Sequence, residues 1–399
     1  MLTISHRGTE MPQSPIRKLV PYAEEVKRKG RKVYHLNIGQ PDIPTAPLML
    51  EAIKKTEFKV VEYGHSAGNE SYRRKLAAYY EKLDIHIDYT DLLITTGGSE
   101  AILFSFLSTM DPGDEVIVPE PFYANYNSFA ATVGVNVVPV TSTIQNGFSL
   151  PPVEEFKKVI TNRTRGIMLS NPNNPTGCLY GREELEEMKS IIKQHDLYLF
   201  SDEVYREFCY NDTPFFSVMQ LKGIENNTIL IDSVSKRYSA CGVRIGALIT
   251  KNKDVINTAL KYGMARLSPP SFGQVAAEAA IDTPDEYFRV AYDEYLKRRN
   301  FLVKNLNKIE GVFCPLPRGA FYTIAHLPVD DAEKFAIWLL SDFEYNNQTV
   351  MLAPASGFYA TPGLGTSEVR IAYVLNVNDL SEAVKCIEEG LKAYPGRKI

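Results

Sequence analysis

The 399-residue chain is poor in tryptophan, histidine and cysteine, with one Trp (Trp338), six His and five Cys, and the last two shortages close off classes of function. The cysteines (Cys178, Cys209, Cys241, Cys314, Cys386) are odd in number and widely scattered. Without a CxxC pair or a histidine at ligand spacing, neither a disulfide framework nor a metal site is expected. Long apolar runs are missing too, and no stretch reaches the roughly 20 residues of a membrane span. The first residues are interrupted by His6, Arg7, Glu10, Pro12 and Pro15, unlike a signal peptide, so the expectation is a reduced, cytoplasmic chain without membrane contact. Nor does one sign of charge dominate. With 44 Lys and Arg against 48 Asp and Glu, the net charge of −4 offers no basic field for a nucleic acid. Internal repeats and low-complexity linkers are also absent.

What the chain does contain is ordinary globular material, 44% hydrophobic and 23% charged, and long enough for two domains. From about residue 91, short apolar runs alternate with amphipathic stretches, the mark of βα units around a mostly parallel sheet. Leu92–Thr96, Glu115–Val118, Gly166–Ser170, Leu197–Phe200 and Thr228–Asp232 read as strands. Glu183–Ile192, acidic in its first turns, reads as a crossover helix. Beyond residue 290 the pattern changes: a long helix over Asp293–Ile309, then Pro315, Pro317 and Gly319, then short strands (Phe321–Ala325, Val369–Tyr373) mixed with helices (Ala332–Leu340, Leu380–Ala393). A large α/β domain and a smaller α+β domain, with a cleft between them, is the expected architecture.

The densest chemistry lies in Ser233-Val234-Ser235-Lys236-Arg237-Tyr238-Ser239-Ala240-Cys241-Gly242-Val243-Arg244-Ile245-Gly246. Lys236 follows an apolar strand, where α/β sheets expose their functional loops. A lone lysine is ordinarily a solvated surface residue. When burial and neighbours favour its neutral amine, it becomes a nucleophile toward carbonyls. Upstream, Ser201-Asp202-Glu203-Val204-Tyr205 and the loop Asn171-Pro172-Asn173-Asn174-Pro175-Thr176-Gly177 also follow predicted strands. Thr96-Gly97-Gly98-Ser99-Glu100 turns from a strand into a helix, and its backbone N–H groups suit a phosphate dianion. Taken singly, Asp202 reads as a helix cap and Tyr123, in Pro119-Glu120-Pro121-Phe122-Tyr123, as core packing.

Together these segments resemble the class I/II aminotransferases, pyridoxal-phosphate-dependent enzymes of fold type I, and the likeness runs in order from Gly39 to Arg370. The closest motifs are those of aspartate aminotransferase-like members. The resemblance implies a mostly parallel sheet sandwiched by helices, with residues 1–45 as an arm and part of a small domain. It further implies a large cofactor-binding domain over 46–290 and a small domain completed by 291–399.

The same resemblance implies pyridoxal 5′-phosphate as cofactor, held covalently by Lys236, which also moves protons. Asp202 would keep the pyridine nitrogen protonated, and a carboxylate suits that role because it stabilises the ring cation. Tyr205 and Asn174 would meet the ring hydroxyl, and Tyr123 would stack on the ring. Gly98, Ser99, Glu100, Ser233 and Arg244, with Ser235 as a weaker candidate, would hold the phosphate. Tyr63 would reach the phosphate of a neighbouring subunit, implying a homodimer with shared active sites. Gly39, Asn174 and Arg370 would contact the substrate, Arg370 gripping its α-carboxylate as a buried guanidinium can. Arg237, Cys241 and Val243 occupy positions that the pattern leaves open.

The implied reaction moves an amino group from an L-amino acid to a 2-oxo acid. Aspartate with 2-oxoglutarate is the leading pair. A dicarboxylate needs a second cation, and Arg266, Arg7 and Arg17 are the suppliers on offer. Aromatic, alanine or broad specificity, or a lyase on the same fold, are the alternatives. A DNA-binding regulator is disfavoured because the chain before Gly39 is too short for a helix-turn-helix unit besides its entry segment, and a dehydrogenase because no GxGxxG follows a strand.

Overall fold

Twelve short strands form where β-branched and aliphatic residues run together, and in the computed structural model they assemble into three sheets among the described residues, 2–210 and 214–398. They are β1 (Lys32–His35), β2 (Leu92–Thr95), β3 (Glu115–Glu120), β4 (Asn136–Thr141), β5 (Thr164–Ser170), β6 (Tyr198–Asp202), β7 (Thr228–Ser233), β8 (Gly246–Ile249), β9 (Tyr322–His326), β10 (Gln348–Met351), β11 (Ala353–Pro354) and β12 (Glu368–Ala372). The central sheet has the order β2-β8-β7-β6-β5-β3-β4. All its pairings are parallel except those of β8, which runs antiparallel to both β2 and β7. Strands β2, β3, β7 and β8 are buried along their whole length, and β5 and β6 along most of theirs, as a sheet covered by helices on both faces requires.

Both a mostly parallel sheet and a smaller α+β part therefore stand as expected. Each predicted strand exists within a few residues, while the long helix begins earlier than its expected start at Asp293. It runs Asp285–Leu306, entered through Pro284 with Asp285 and Glu286 in its first turn. β4 and β8 are additions that the sequence did not signal.

The ends of the chain meet in the smaller part. β1 pairs in parallel with β10, with Lys32 opposite Gln348, and β11-β12-β9 form an antiparallel sheet beside them. One apolar cluster joins Leu19, Ala23 and Leu36 from the first segment with Leu339, Val350, Ile371 and Leu380 from the last. No helix among the described residues is long and apolar enough to cross a membrane.

Candidate active site

Parallel strands deliver their loops to one edge, and here the carboxyl ends of β2, β5, β6 and β7 open onto a cleft of about 530 Å³ facing the smaller sheets. β8 contributes because it runs the other way. Its first residue, Gly246, lies opposite both Thr95 and Ser233, so Arg244 just before it reaches the same edge.

Lys236 sits in a one-turn helix, Val234–Arg237, that continues β7 and is capped by Ser233, whose Oγ accepts from the Ser235 amide at 3.2 Å. Its Nζ donates to the Gly39 carbonyl at 3.0 Å and lies 3.6 Å from Cys241 Sγ. The bareness of Gly39 makes room for a second neighbour: a Cβ there would stand 1.7 Å from the Tyr322 hydroxyl. Arg237 points away from the cleft into a buried network, bonding Glu207 at 2.6 Å and Asp232 at 2.7 Å.

Asp202 ends β6 fully buried, and desolvation pushes its carboxyl up to about 6 against the pull of the Tyr126 hydroxyl and the Val204 amide. Tyr126 donates to it at 3.0 Å. The Tyr205 hydroxyl stands 2.9 Å from that of Tyr322, and the two rings meet edge to face.

The Asn171–Thr176 loop is fixed by its own amides. Asn171 bonds the Tyr180 backbone through both Nδ2 and Oδ1, and Asn173 accepts from Thr176 at its amide and hydroxyl. Asn174 is thereby presented to the cleft, where its Oδ1 accepts from Arg370 at 3.2 Å. Arg370, 1% exposed, also donates to the Asn37 carbonyl and lies between the rings of Tyr322 and Phe358. Among the described residues no carboxylate pairs with it, and its Nε has no partner. A buried guanidinium left without an anion is costly unless a ligand supplies one.

At the phosphate side, the helix Gly97–Thr109 begins beside Arg244. Gly97 has φ +75°, and a Cβ on it would lie 2.4 Å from the Arg244 guanidinium, so its bareness allows the arginine against the helix end. Gly98, Ser99, Ser233, Ser235 and Tyr123 all line the cleft.

Two expected residues stand apart. Glu100 is not in the cleft wall: its carboxylate accepts from the Thr96 amide at 2.7 Å and pairs with Arg266 at 2.8 Å. That pair also removes Arg266 from the suppliers of a second substrate cation. Tyr63 is 79% exposed outside the cleft of its own chain. Sequence reasoning missed Tyr322 and Tyr126. Tyr126 is three residues beyond Tyr123, yet nothing in the sequence couples it to Asp202, and Tyr322 reads only as the start of a strand.

The profile of the family described as Aminotransferase class I and II matches residues 31–387. The chain belongs to this family. An aspartate aminotransferase of Thermotoga maritima is 31% identical over 395 residues, covering 98% of this chain and 100% of the relative. An alanine aminotransferase structure from Pyrococcus furiosus superposes with a TM-score of 0.90 at 29% identity, covering 98% of this chain and 100% of that one. An aromatic aminotransferase structure from Pyrococcus horikoshii gives 0.83 at 29%, covering 93% and 98%. This class I/II aminotransferase is thus an enzyme of a family that works with pyridoxal phosphate on amino acids and oxo acids.

Proposed function

We propose that the chain transfers the amino group of aspartate to 2-oxoglutarate with pyridoxal 5′-phosphate held in this cleft. One observation carries the reading: Arg370, buried and without a carboxylate partner, lines the same cleft as the amine of Lys236. An α-amino acid whose carboxylate meets the guanidinium would bring its Cα to the lysine, and the oriented pair is what proton transfer requires. The aspartate preference rests on the relatives' names and on the cations of the cleft. The alanine and aromatic relatives keep those donors as the second reading.

The residues present fit the cofactor. Asp202 would face the ring nitrogen, Tyr205 and Asn174 the ring hydroxyl, and Tyr123 one ring face. Arg244, Ser233, Ser235 and the Gly98–Ser99 helix end would take the phosphate, as cation, hydroxyl and backbone donors do. When bound, the cofactor supplies an electron-withdrawing ring that accommodates the electron pair released at the substrate Cα. Lys236 would hold the cofactor at rest, then carry the proton off Cα through its Nζ, with the Gly39 carbonyl orienting the amine. Arg370 and Asn174 would hold the carboxylate, and Tyr322 would keep the Tyr205 hydroxyl aimed.

We also propose a homodimer in which Tyr63 completes the partner's phosphate site. The support is an exposed apolar face around it: Val60, Val61, Met264, Leu267 and the edge-to-face pair Phe58–Phe272. The division into 1–45 with 291–399 against 46–290 is kept as a proposal, with the helix Asp285–Leu306 crossing its border.

The test is the visible spectrum of the purified protein and of Lys236→Ala. The wild type should show an absorption band that aspartate bleaches and 2-oxoglutarate restores. A colourless wild type, or an unchanged band in Lys236→Ala, would sink the assignment of the lysine.

A further inference from the structure

Arg237 follows Lys236 in sequence and Arg206 follows Tyr205, yet neither guanidinium is among the groups that line the cleft. Both turn the other way, to the carboxylate of Asp232, the residue before Ser233. The chain segments that bring Lys236, Tyr205 and Ser233 to the cleft are thus joined behind it by one buried group. The proposed chemistry gives that group no part.

The helix that presents Lys236, Val234–Arg237, is a single turn, and a single turn has no stability of its own. Both of its ends are held by Asp232 Oδ1. At the start this oxygen accepts from the Ser233 amide at 2.8 Å, and Ser233 Oγ in turn caps the helix. At the end it accepts from Arg237 Nη2 at 2.7 Å. Arg206 Nη2 lies 3.0 Å from the same oxygen, while Oδ2 accepts from the hydroxyl of Tyr80, on the helix Glu70–Glu81, at 2.7 Å. Arg237 Nε is fixed by Glu207 at 2.6 Å, and that carboxylate also takes the Tyr79 hydroxyl. Asp232 and both arginines are buried, and Arg206 Nε and Nη1 and Glu207 Oε2 have no hydrogen-bond partner. A buried cluster of this kind stabilises a fold less than apolar side chains of the same volume would. What it adds is directed, charge-assisted bonds at fixed places.

We infer that Asp232 is a positioning residue for Lys236: by gripping both ends of the one-turn helix, and Arg206 beside Tyr205, it sets where the lysine amine and the tyrosine stand relative to each other. It acts only through Arg237, Arg206 and the Ser233 amide. Lys236 Nζ lies 6.0 Å from the centre of the Tyr205 ring and 3.0 Å from the Gly39 carbonyl, and a tilt of the turn would change both distances. A displacement of about 1 Å can cost a proton transfer about 100-fold. The role presupposes that Lys236 holds the cofactor, as proposed above.

The wild-type holoenzyme is compared with Arg237→Gln, Arg237→Lys and Asp232→Asn at saturating pyridoxal phosphate, well below their melting temperatures. One readout is the visible circular dichroism of the cofactor band per unit absorbance, which reports how firmly the lysine fixes the ring and needs no donor. The others are kcat, KM and the Cα-deuterium isotope effect for aspartate or alanine, whichever bleaches the wild-type band faster. Arg237→Gln and Asp232→Asn should lose dichroism, lower kcat about 10- to 100-fold with KM within about twofold, and raise the isotope effect. Arg237→Lys, which keeps an ion pair without the fork, should lie between. If Asp232→Asn does not fold, the two Arg237 variants decide, because Asp232 keeps Arg206 and Tyr80 in both. A lower melting temperature with dichroism, kcat and isotope effect at wild-type values would overturn the role and leave the lysine assignment standing. A band unchanged in Lys236→Ala would instead sink the lysine assignment, and this role with it.

Discussion

Asp202 is the residue whose titration can be read from outside. Burial holds its carboxyl at about 6, so above that pH it offers a full negative charge to a protonated ring nitrogen, and below it the carboxyl turns neutral. Cofactor affinity should therefore fall as pH drops below about 6, by up to about tenfold per unit for this one proton. Equilibrium dialysis across pH 5–8 measures it, and Asp202→Asn should bind weakly at every pH with that dependence gone. Several residues of this kind were legible in the sequence, because Lys236, Asn174, Arg244 and Arg370 stand in motifs whose spacing survives in the linear chain. Tyr126 and Tyr322 were not, since a phenol is recruited to Asp202 or Tyr205 by tertiary contact alone, 76 and 117 residues away.

The turn into the helix Gly97–Thr109 and the one-turn helix behind Lys236 are the elements on which the site leans. Gly97→Ala places a side chain at φ +75° and against Arg244, so it should cost about 1–2 kcal/mol in a thermal or denaturant melt and loosen phosphate-side binding. Arg237 shares Asp232 with Arg206, and these cations hold the Asp232 carboxyl well below the usual range despite its burial. The depressed group contributes stability above the unfolded carboxylate pKa near 4 that is lost as pH falls. Arg237→Ala leaves buried Asp232 with Arg206 and the Tyr80 hydroxyl as its remaining partners, and should cost about 1.5–3 kcal/mol in urea unfolding at neutral pH. Sequence reading succeeded for elements made of continuous apolar runs. It missed β4, interrupted by Pro139 and paired on one side only, which is where a sheet tolerates proline. It also missed β8, four residues directly behind the lysine motif, whose reversed direction is a matter of topology.

For the molecule as a whole, the exposed apolar face around Phe58, Val60, Tyr63 and Phe272 is expected to be covered by a second copy. Sedimentation should give a dimer at micromolar concentration, and Tyr63→Phe should leave it a dimer while weakening cofactor retention about tenfold. The cleft is also built from contacts between distant parts of the chain. Arg370 reaches Asn37 across 333 residues, Tyr322 reaches Gly39 across 283, and Lys236 reaches Gly39 across 197. Such pairings form late, because the loop they close must be ordered first. Refolding from denaturant should regain helix and sheet signals before the capacity to take up cofactor. The delay between the two would time how long the opposite ends of the polypeptide need to find each other.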